Sequence, residues 1–257
     1  MTREDLEVKT LANALDLLDQ LVESELTGLS IQDLATKSSA SDLTVYRTLN
    51  TLESHGYVTH DARSGSYTLS RKWLRASVTF SLQSTLRRIA IPYLVRLVEQ
   101  HDVCASIAVE MGYYAMFIDR VMPPVLHGSF RPSGGLAPWH STAAGKAIAA
   151  FQRDDIIDQY LREHQLVRST PNTITDPDEL KHHFAEARCR GWTVDDCENL
   201  QNTYCLGAPV YAPGGKVTAC ISMASKRESF IRPPGLEERL EALRMACSSL
   251  SGLLGYL

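Results

Sequence analysis

In SDLTVYRTLNTLESHGYV, Thr44, Arg47 and Thr51 stand three and four residues apart, a spacing that lines side chains along one helix face. Val45, Leu49 and Leu52 mark the opposite, apolar face. A helix anchored on one side and carrying hydroxyls and a guanidinium on the other is equipped to hydrogen-bond a polyanion. Ser41, at the start of the stretch, and Tyr46 add donors for phosphate or base edges. Arg63, in the Arg63-Ser64-Gly65 turn that follows, sits where a hairpin tip would present it to a nucleic-acid backbone. Asp42 works against a nearby phosphate but can accept from a cytosine amino group.

A second set of residues suggests small-molecule chemistry. HSTAAGKA ends in Gly145-Lys146 but lacks both the leading Gly and the Ser or Thr after the Lys that a phosphate loop needs, so nucleotide hydrolysis is not expected. Thr142, Ala143 and Ala144 instead open a helix whose small side chains expose backbone N–H groups. Asp195 and Asp196 are adjacent on a predicted strand and so point to opposite faces, one inward and one solvated, which argues against a catalytic carboxylate pair. Cys205 as a nucleophile would need a base such as His140 within reach. The six cysteines are dispersed without a C-x-x-C, and His182-His183 are adjacent, so neither a disulfide framework nor a metal site is expected. No cofactor is expected.

These residues need elements to position them. Leu11, Leu15, Leu18 and Val22 predict an amphipathic first helix. Ser30 followed by Asp33 predicts a capping box opening a short second helix, and Gly56 ends a third that begins near Ser41. Alternating runs at 57–61 and 66–69 predict a hairpin, completing a winged helix-turn-helix over residues 1–72. A helix over 71–100 supplies a linker at 73–88 and opens a second domain at 89–257. There, strands are expected at 103–110, 113–121 and 125–130, helices near 153–163 and 178–190, strands in GWTVDD, CLGAPVY and KVTACISMAS, and a closing helix at 236–254.

The chain has 257 residues and a formal charge of −4, which taken whole argues against nucleic acid. The charge is uneven, however: between residues 36 and 75, six basic residues face Asp42, Glu53 and Asp61 alone. Local charge sets the field a phosphate feels. No apolar stretch is long enough for a membrane span and the N-terminus reads as no secretory signal, so a cytoplasmic protein is expected.

SDLTVYRTLNTLESHGYV with its hairpin resembles the DNA-binding domain of the IclR family of bacterial transcriptional regulators. PWHSTAAGKAIAAF, TPNTITDPDELKHHFAEARCRGWTVDDCEN and CLGAPVYAPGGKVTACISM resemble its effector domain. The resemblance implies an α+β chain of two domains, the second a GAF-like α/β effector-binding domain with a mainly antiparallel sheet. It implies a repressor of catabolic genes that binds double-stranded operator DNA, answers a small organic acid and assembles as a homodimer or homotetramer. By the same resemblance Trp139, the Thr142–Ala144 segment, Asp195, Cys205 and Ser222 form the effector pocket, with Thr203 and Ala224 departing from the family pattern. Asp195 would repel a carboxylate, so the expected orientation places the acid group at Thr142–Ala144 and a ligand hydroxyl at Asp195. Trp139 is either an apolar wall for an aromatic or otherwise planar hydroxy acid or a core residue. The reading from another class is a small-molecule enzyme or redox sensor built on Cys205.

Overall fold

The computed structural model describes residues 8–24, 28–38, 40–73, 85–124, 133–233 and 235–255, which fall into two compact units, Met1–Gln83 and Ser84–Leu257. In the first unit, α1 (Lys9–Glu23), α2 (Ile31–Lys37) and α3 (Asp42–Ser54) precede a two-stranded antiparallel hairpin of β1 (Val58–Asp61) and β2 (Ser66–Leu69). The capping box is present: the Ser30 hydroxyl accepts the Asp33 N–H at 3.2 Å, and Asp33 accepts the Ser30 N–H at 3.0 Å. Ser41 caps α3 by accepting the Thr44 N–H. Leu34, Val45, Leu49, Val58 and Tyr67 form the centre of the core.

The buried stripe of α1 differs from the one expected. Leu17, Leu18 and Leu21 face the core, whereas Leu11, Leu15 and Val22 are 58%, 52% and 63% exposed. The helix carries apolar residues on two faces, and periodicity alone cannot say which one the core takes.

The second unit opens with α4 (Thr85–His101); residues 74–84 of the expected linker helix lie outside the described residues. The hairpin of β3 (Cys104–Met111) and β4 (Tyr114–Val121) follows, then β5 (Leu136–Pro138) and the short helix α5 (Ala143–Ala149). The strand expected at 125–130 also lies outside the described residues. Next come α6 (Asp154–Glu163), α7 (Pro177–Arg190), β6 (Thr193–Asp196), β7 (Thr203–Tyr211), β8 (Val217–Lys226), α8 (Arg227–Ile231) and α9 (Leu236–Leu253).

The six strands form one antiparallel sheet in the order β5-β4-β3-β8-β7-β6. Alternation gives the sheet two distinct faces. Ala105, Ile107, Leu206, Ala208, Ile221 and Met223 pack with α4 and α9. The intervening residues face α5, behind which Trp139, Tyr160, Leu180 and Phe184 build a second core. Gly207 is where α5 meets the sheet: a methyl group there would stand 2.5 Å from the Ala143 carbonyl oxygen.

Candidate functional site

The outward face of α3 carries Thr44, Arg47 and Thr51, all exposed, with Tyr46 47% exposed beside them. Thr48 and Thr51 donate to the carbonyls of Thr44 and Arg47 at 2.8 and 2.9 Å, which steadies the hydroxyls and leaves their lone pairs outward. Ser41 spends its hydroxyl on the helix cap and on Thr44 Oγ1 at 3.0 Å, so it fixes the start of α3. Arg63 lies in the β1–β2 turn, where its backbone N–H donates to Asp61 Oδ1 at 2.9 Å, leaving the side chain exposed. Lys72, counted in the local positive charge, donates from Nζ to the His55 carbonyl at 2.9 Å and lies 3.7 Å from the Tyr57 ring centroid.

In the second unit a cavity with a volume of about 50 Å3 lies between α5 and the sheet. Thr142, Ala143 and Ala144 form its helical side, and Asp195, Cys205 and Ser222 lie on the sheet side. These six expected pocket residues therefore share one space. Trp139 does not: it is fully buried in the core behind α5, edge-on to Tyr113 at 5.4 Å, and does not line the cavity. It sits in the turn before α5, and its ring packs with Tyr160.

The lining follows from strand register. Asp195 pairs with Cys205, which pairs with Ala224, which pairs with Cys104, giving one row across four strands. Thr193, Gly207, Ser222, Ser106 and Arg120 form the next row, crossing five. Ser106 and Ser222 hydroxyls lie 3.0 Å apart. The Thr193 hydroxyl donates to the Ala143 carbonyl at 2.7 Å, holding α5 over the rows. Thr142 caps α5 by accepting the Gly145 N–H at 2.9 Å, so the N–H groups of Ala143 and Ala144, at the helix start, have no acceptor one turn back.

Asp195 is 3% exposed, and its Oδ1 accepts the N–H groups of Glu198 and Asn199 at 2.7 and 3.3 Å. It thereby shapes the loop that brings Asn199 and Leu200 to the cavity rim. Asp196 points the other way and pairs with Arg227 at 2.7 Å. The TPNT stretch clamps this loop from outside, since Thr170 and Thr173 both donate to the Glu198 carbonyl, at 3.1 and 2.6 Å. Beneath it, Lys146 is fully buried and its Nζ lies 2.5 Å from Glu198 Oε1.

Burial pushes the Asp195 carboxyl up to about 7, with the charge of Lys146 opposing and that of Glu198 adding to the shift. The native state then keeps a proton that the unfolded chain releases between the ordinary value of 3.8 and about 7, so this group lowers stability as pH rises through that window. Asp195→Asn keeps an acceptor for the loop and removes the charge. Melting temperatures from pH 5 to 8 should fall less steeply for the variant than for the parent; equal slopes would remove Asp195 as a titrating group.

Burial, and next the charge of Asp195, push the Cys205 thiol well above its ordinary value. A thiol held protonated is a poor nucleophile and a poor redox sensor. His140, its expected base, is occupied elsewhere: its Nδ1 lies 3.1 Å from the Tyr160 hydroxyl and its Nε2 3.0 Å from the Val167 carbonyl. Among the described residues, no group of three His, Cys, Asp or Glu side chains could hold a metal ion, and no helix is long and apolar enough to cross a membrane.

Some of the residues at the cavity were not expected there from sequence. Ser106 and Arg120 line the cavity, and the Lys146–Glu198 pair supports it. Only the three-dimensional register brings them to Asp195 and Ser222.

The family pattern described as bacterial transcriptional regulator IclR, C-terminal, matches residues 80–252, and that of the IclR helix-turn-helix domain matches residues 10–62. The chain belongs to the IclR family. It is 29% identical over 217 residues to the HTH-type transcriptional regulator BhcR of Paracoccus denitrificans (strain Pd 1222), covering 84% of this chain and 77% of that one. It is 27% identical over 220 residues to the transcriptional repressor IclR of Escherichia coli (strain K12), covering 85% and 80%. The crystal structure of an IclR homolog from Microbacterium hydrocarbonoxydans, complexed with 4-hydroxybenzoate, shares the fold with a TM-score of 0.79 at 19% identity, covering 96% of this chain and all of that one. These IclR-family relatives are transcriptional regulators, and this chain is a DNA-binding transcriptional regulator rather than an enzyme.

Proposed function

We propose that this IclR-family regulator is a repressor released from its operator by a small organic acid bound in the α5–sheet cavity. The observation that carries the reading is the convergence of Thr142, Ala143, Ala144, Asp195, Cys205 and Ser222 on that one cavity. The hydroxybenzoate held by the Microbacterium protein supports an acid as the ligand class. Size favours an aliphatic acid of a few carbons over the aromatic one: about 50 Å3 is roughly a third of an apolar cavity that accepts benzene. Trp139, the residue that suggested a ring, is also core. The ligand's hydroxyl or hydrated carbonyl donates to Asp195. Its carboxylate lies away from that charge, near the Ala143 and Ala144 N–H groups and the Ser222 hydroxyl.

A panel of small hydroxy and oxo acids and their deoxy counterparts, read by thermal shift and then by operator release, tests this. Release without turnover of the acid is expected. Asp195→Asn should weaken the response to the hydroxylated acid at least about 10-fold more than to its deoxy counterpart, the size of one hydrogen bond to a charged group. Asparagine is a cleaner replacement than alanine because it can still accept from the 198–199 loop. Equal losses for both acids would reverse the orientation.

On the DNA side, Ser41 at the cap of α3 and Thr44, Tyr46, Arg47 and Thr51 on the helix are proposed to face the major groove, with Arg63 on the wing against the backbone. Arg47→Ala should leave folding intact, because the side chain is exposed. It should weaken specific operator binding by about 1–3 kcal/mol if it reads a guanine with both guanidinium arms. A folded variant with unchanged affinity in a gel-shift titration would exclude α3 as the reading helix.

A further inference from the structure

We propose that Arg120 is the counter-charge that selects an anionic effector, gripping the carboxylate of a small hydroxy or oxo acid whose other end reaches Asp195. This rests on the α5–sheet cavity being the effector site. The first observation is a break in the register of the β3–β4 hairpin. Ile107 pairs with Asp119 and Ala108 with Phe117, so Ile118 is an extra residue in β4. A bulge of this kind re-phases a strand and re-aims its side chains. Phe117 and Arg120, three apart, would point to opposite faces of a regular strand; with the bulge both line the cavity, while Ile118 and Val121 pack in the opposite core.

The second observation is the placement of charge. Among the described lining residues Arg120 is the one cation and Asp195 the one acid. Lys146, the other nearby cation, is fully buried against Glu198 and is not part of the lining. Asp195 lies on β6 and Arg120 on β4, four strand spacings apart in the sheet, or about 19 Å between backbones before the long arginine side chain reaches inward. Above about pH 7, where Asp195 is ionised, the cavity thus has a negative pole and a positive pole.

The third observation is what surrounds the guanidinium. It stands 4.5 Å from the Phe117 ring centroid, a contact that restricts its plane. Across the pair from Arg120 is Ser106, whose hydroxyl meets that of Ser222. A guanidinium beside two hydroxyls suits a carboxylate. The start of α5 supplies hydrogen bonds from Ala143 and Ala144, but a helix of seven residues brings only a fraction of a charge. Arg120 supplies a whole one.

The test uses matched pairs, each small hydroxy or oxo acid of the panel with its neutral carboxamide, titrated by calorimetry into the full-length protein and into Arg120→Gln and Arg120→Lys. The parent should favour the acid of at least one pair by about 10-fold or more, a ratio typical of one charged contact. In Arg120→Gln, acid affinity should fall about 10- to 100-fold while carboxamide affinity changes by less than about 3-fold, and Arg120→Lys should recover part of the loss. A folded Arg120→Gln variant that prefers the acid as strongly as the parent overturns the role of Arg120 and leaves the cavity standing. Absence of binding by any panel member to the parent overturns the effector reading and this inference with it. Loss of acid preference in Arg120→Gln, with hydroxyl preference unchanged in Asp195→Asn, supports Arg120 and removes Asp195 from the ligand.

Discussion

Lys146→Ala is expected to destabilise the second unit by about 3–5 kcal/mol, the range for removing one partner of a buried ion pair. Lys146 has no exposed surface, its Nζ is 2.5 Å from Glu198 Oε1, and Glu198 is 5% exposed with Oε2 making no hydrogen bond. Without the ammonium, Glu198 and Asp195 become two buried carboxylates with no positive charge between them. Burial already holds Glu198 above its ordinary value, with Lys146 opposing the shift. Losing that opposition raises the carboxyls further, so protonation relieves the variant as pH falls. Urea unfolding should therefore show a larger deficit at pH 8 than at pH 5. The double variant Lys146→Met/Glu198→Leu should recover most of the loss, because apolar groups of similar size need no counter-charge. A deficit below about 1 kcal/mol at pH 8, or no recovery in the double variant, would show that the pair is solvated rather than buried.

Gly207→Ala should affect both stability and ligand binding. The added methyl would lie 2.5 Å from the Ala143 carbonyl oxygen and 2.8 Å from its carbon, which are backbone atoms that cannot rotate aside. Relief requires α5 to lift from the sheet, stretching the Thr193 to Ala143 hydrogen bond of 2.7 Å. Overpacking of about 1–3 kcal/mol plus about 1 kcal/mol for the hydrogen bond gives a loss of roughly 2–4 kcal/mol. Because Ala143 and Ala144 move with the helix, affinity for any acid that binds the parent should fall more than about 10-fold. Operator binding without ligand should persist, since α3 belongs to the other unit, with a core of its own. Parental stability and parental affinity together would show that Gly207 does not set the helix-to-sheet distance.

Much of this was legible in the sequence, for identifiable reasons. Ser30 and Asp33 act within one turn, so their capping box needs no tertiary information. The polar face of α3 could be read because Val45 and Leu49 leave only one face for the core. Strand alternation sent Asp195 inward and Asp196 outward, as the expected opposite faces required. The failures have equally local causes. In α1 two apolar stripes compete, and the core took the one holding Leu17 and Leu21 rather than Leu11 and Leu15. Trp139 comes to the pocket by resemblance alone, and the turn before α5 sends the indole into the core behind that helix. Arg120 was hidden because a bulge breaks the period of two on which strand reading depends. Lys146 and Glu198 are 52 residues apart, and their encounter is a product of the fold.

The clamp that seats α5 is made by Gly145, Thr193 and Gly207, whereas Ser106, Arg120, Thr203 and Ala224 present side chains to the cavity. The two sets do not overlap. Changing a residue of the first set should alter the scaffold; changing one of the second should alter what the proposed effector site recognises. If the cavity is the effector site, as proposed, such a division makes the regulator readily retargeted: single substitutions at 203, 224 or 120 should redraw ligand preference while the apparatus that holds the helix stays untouched. For engineering a sensor, those positions are the ones to randomise, and the two glycines are the ones to leave fixed.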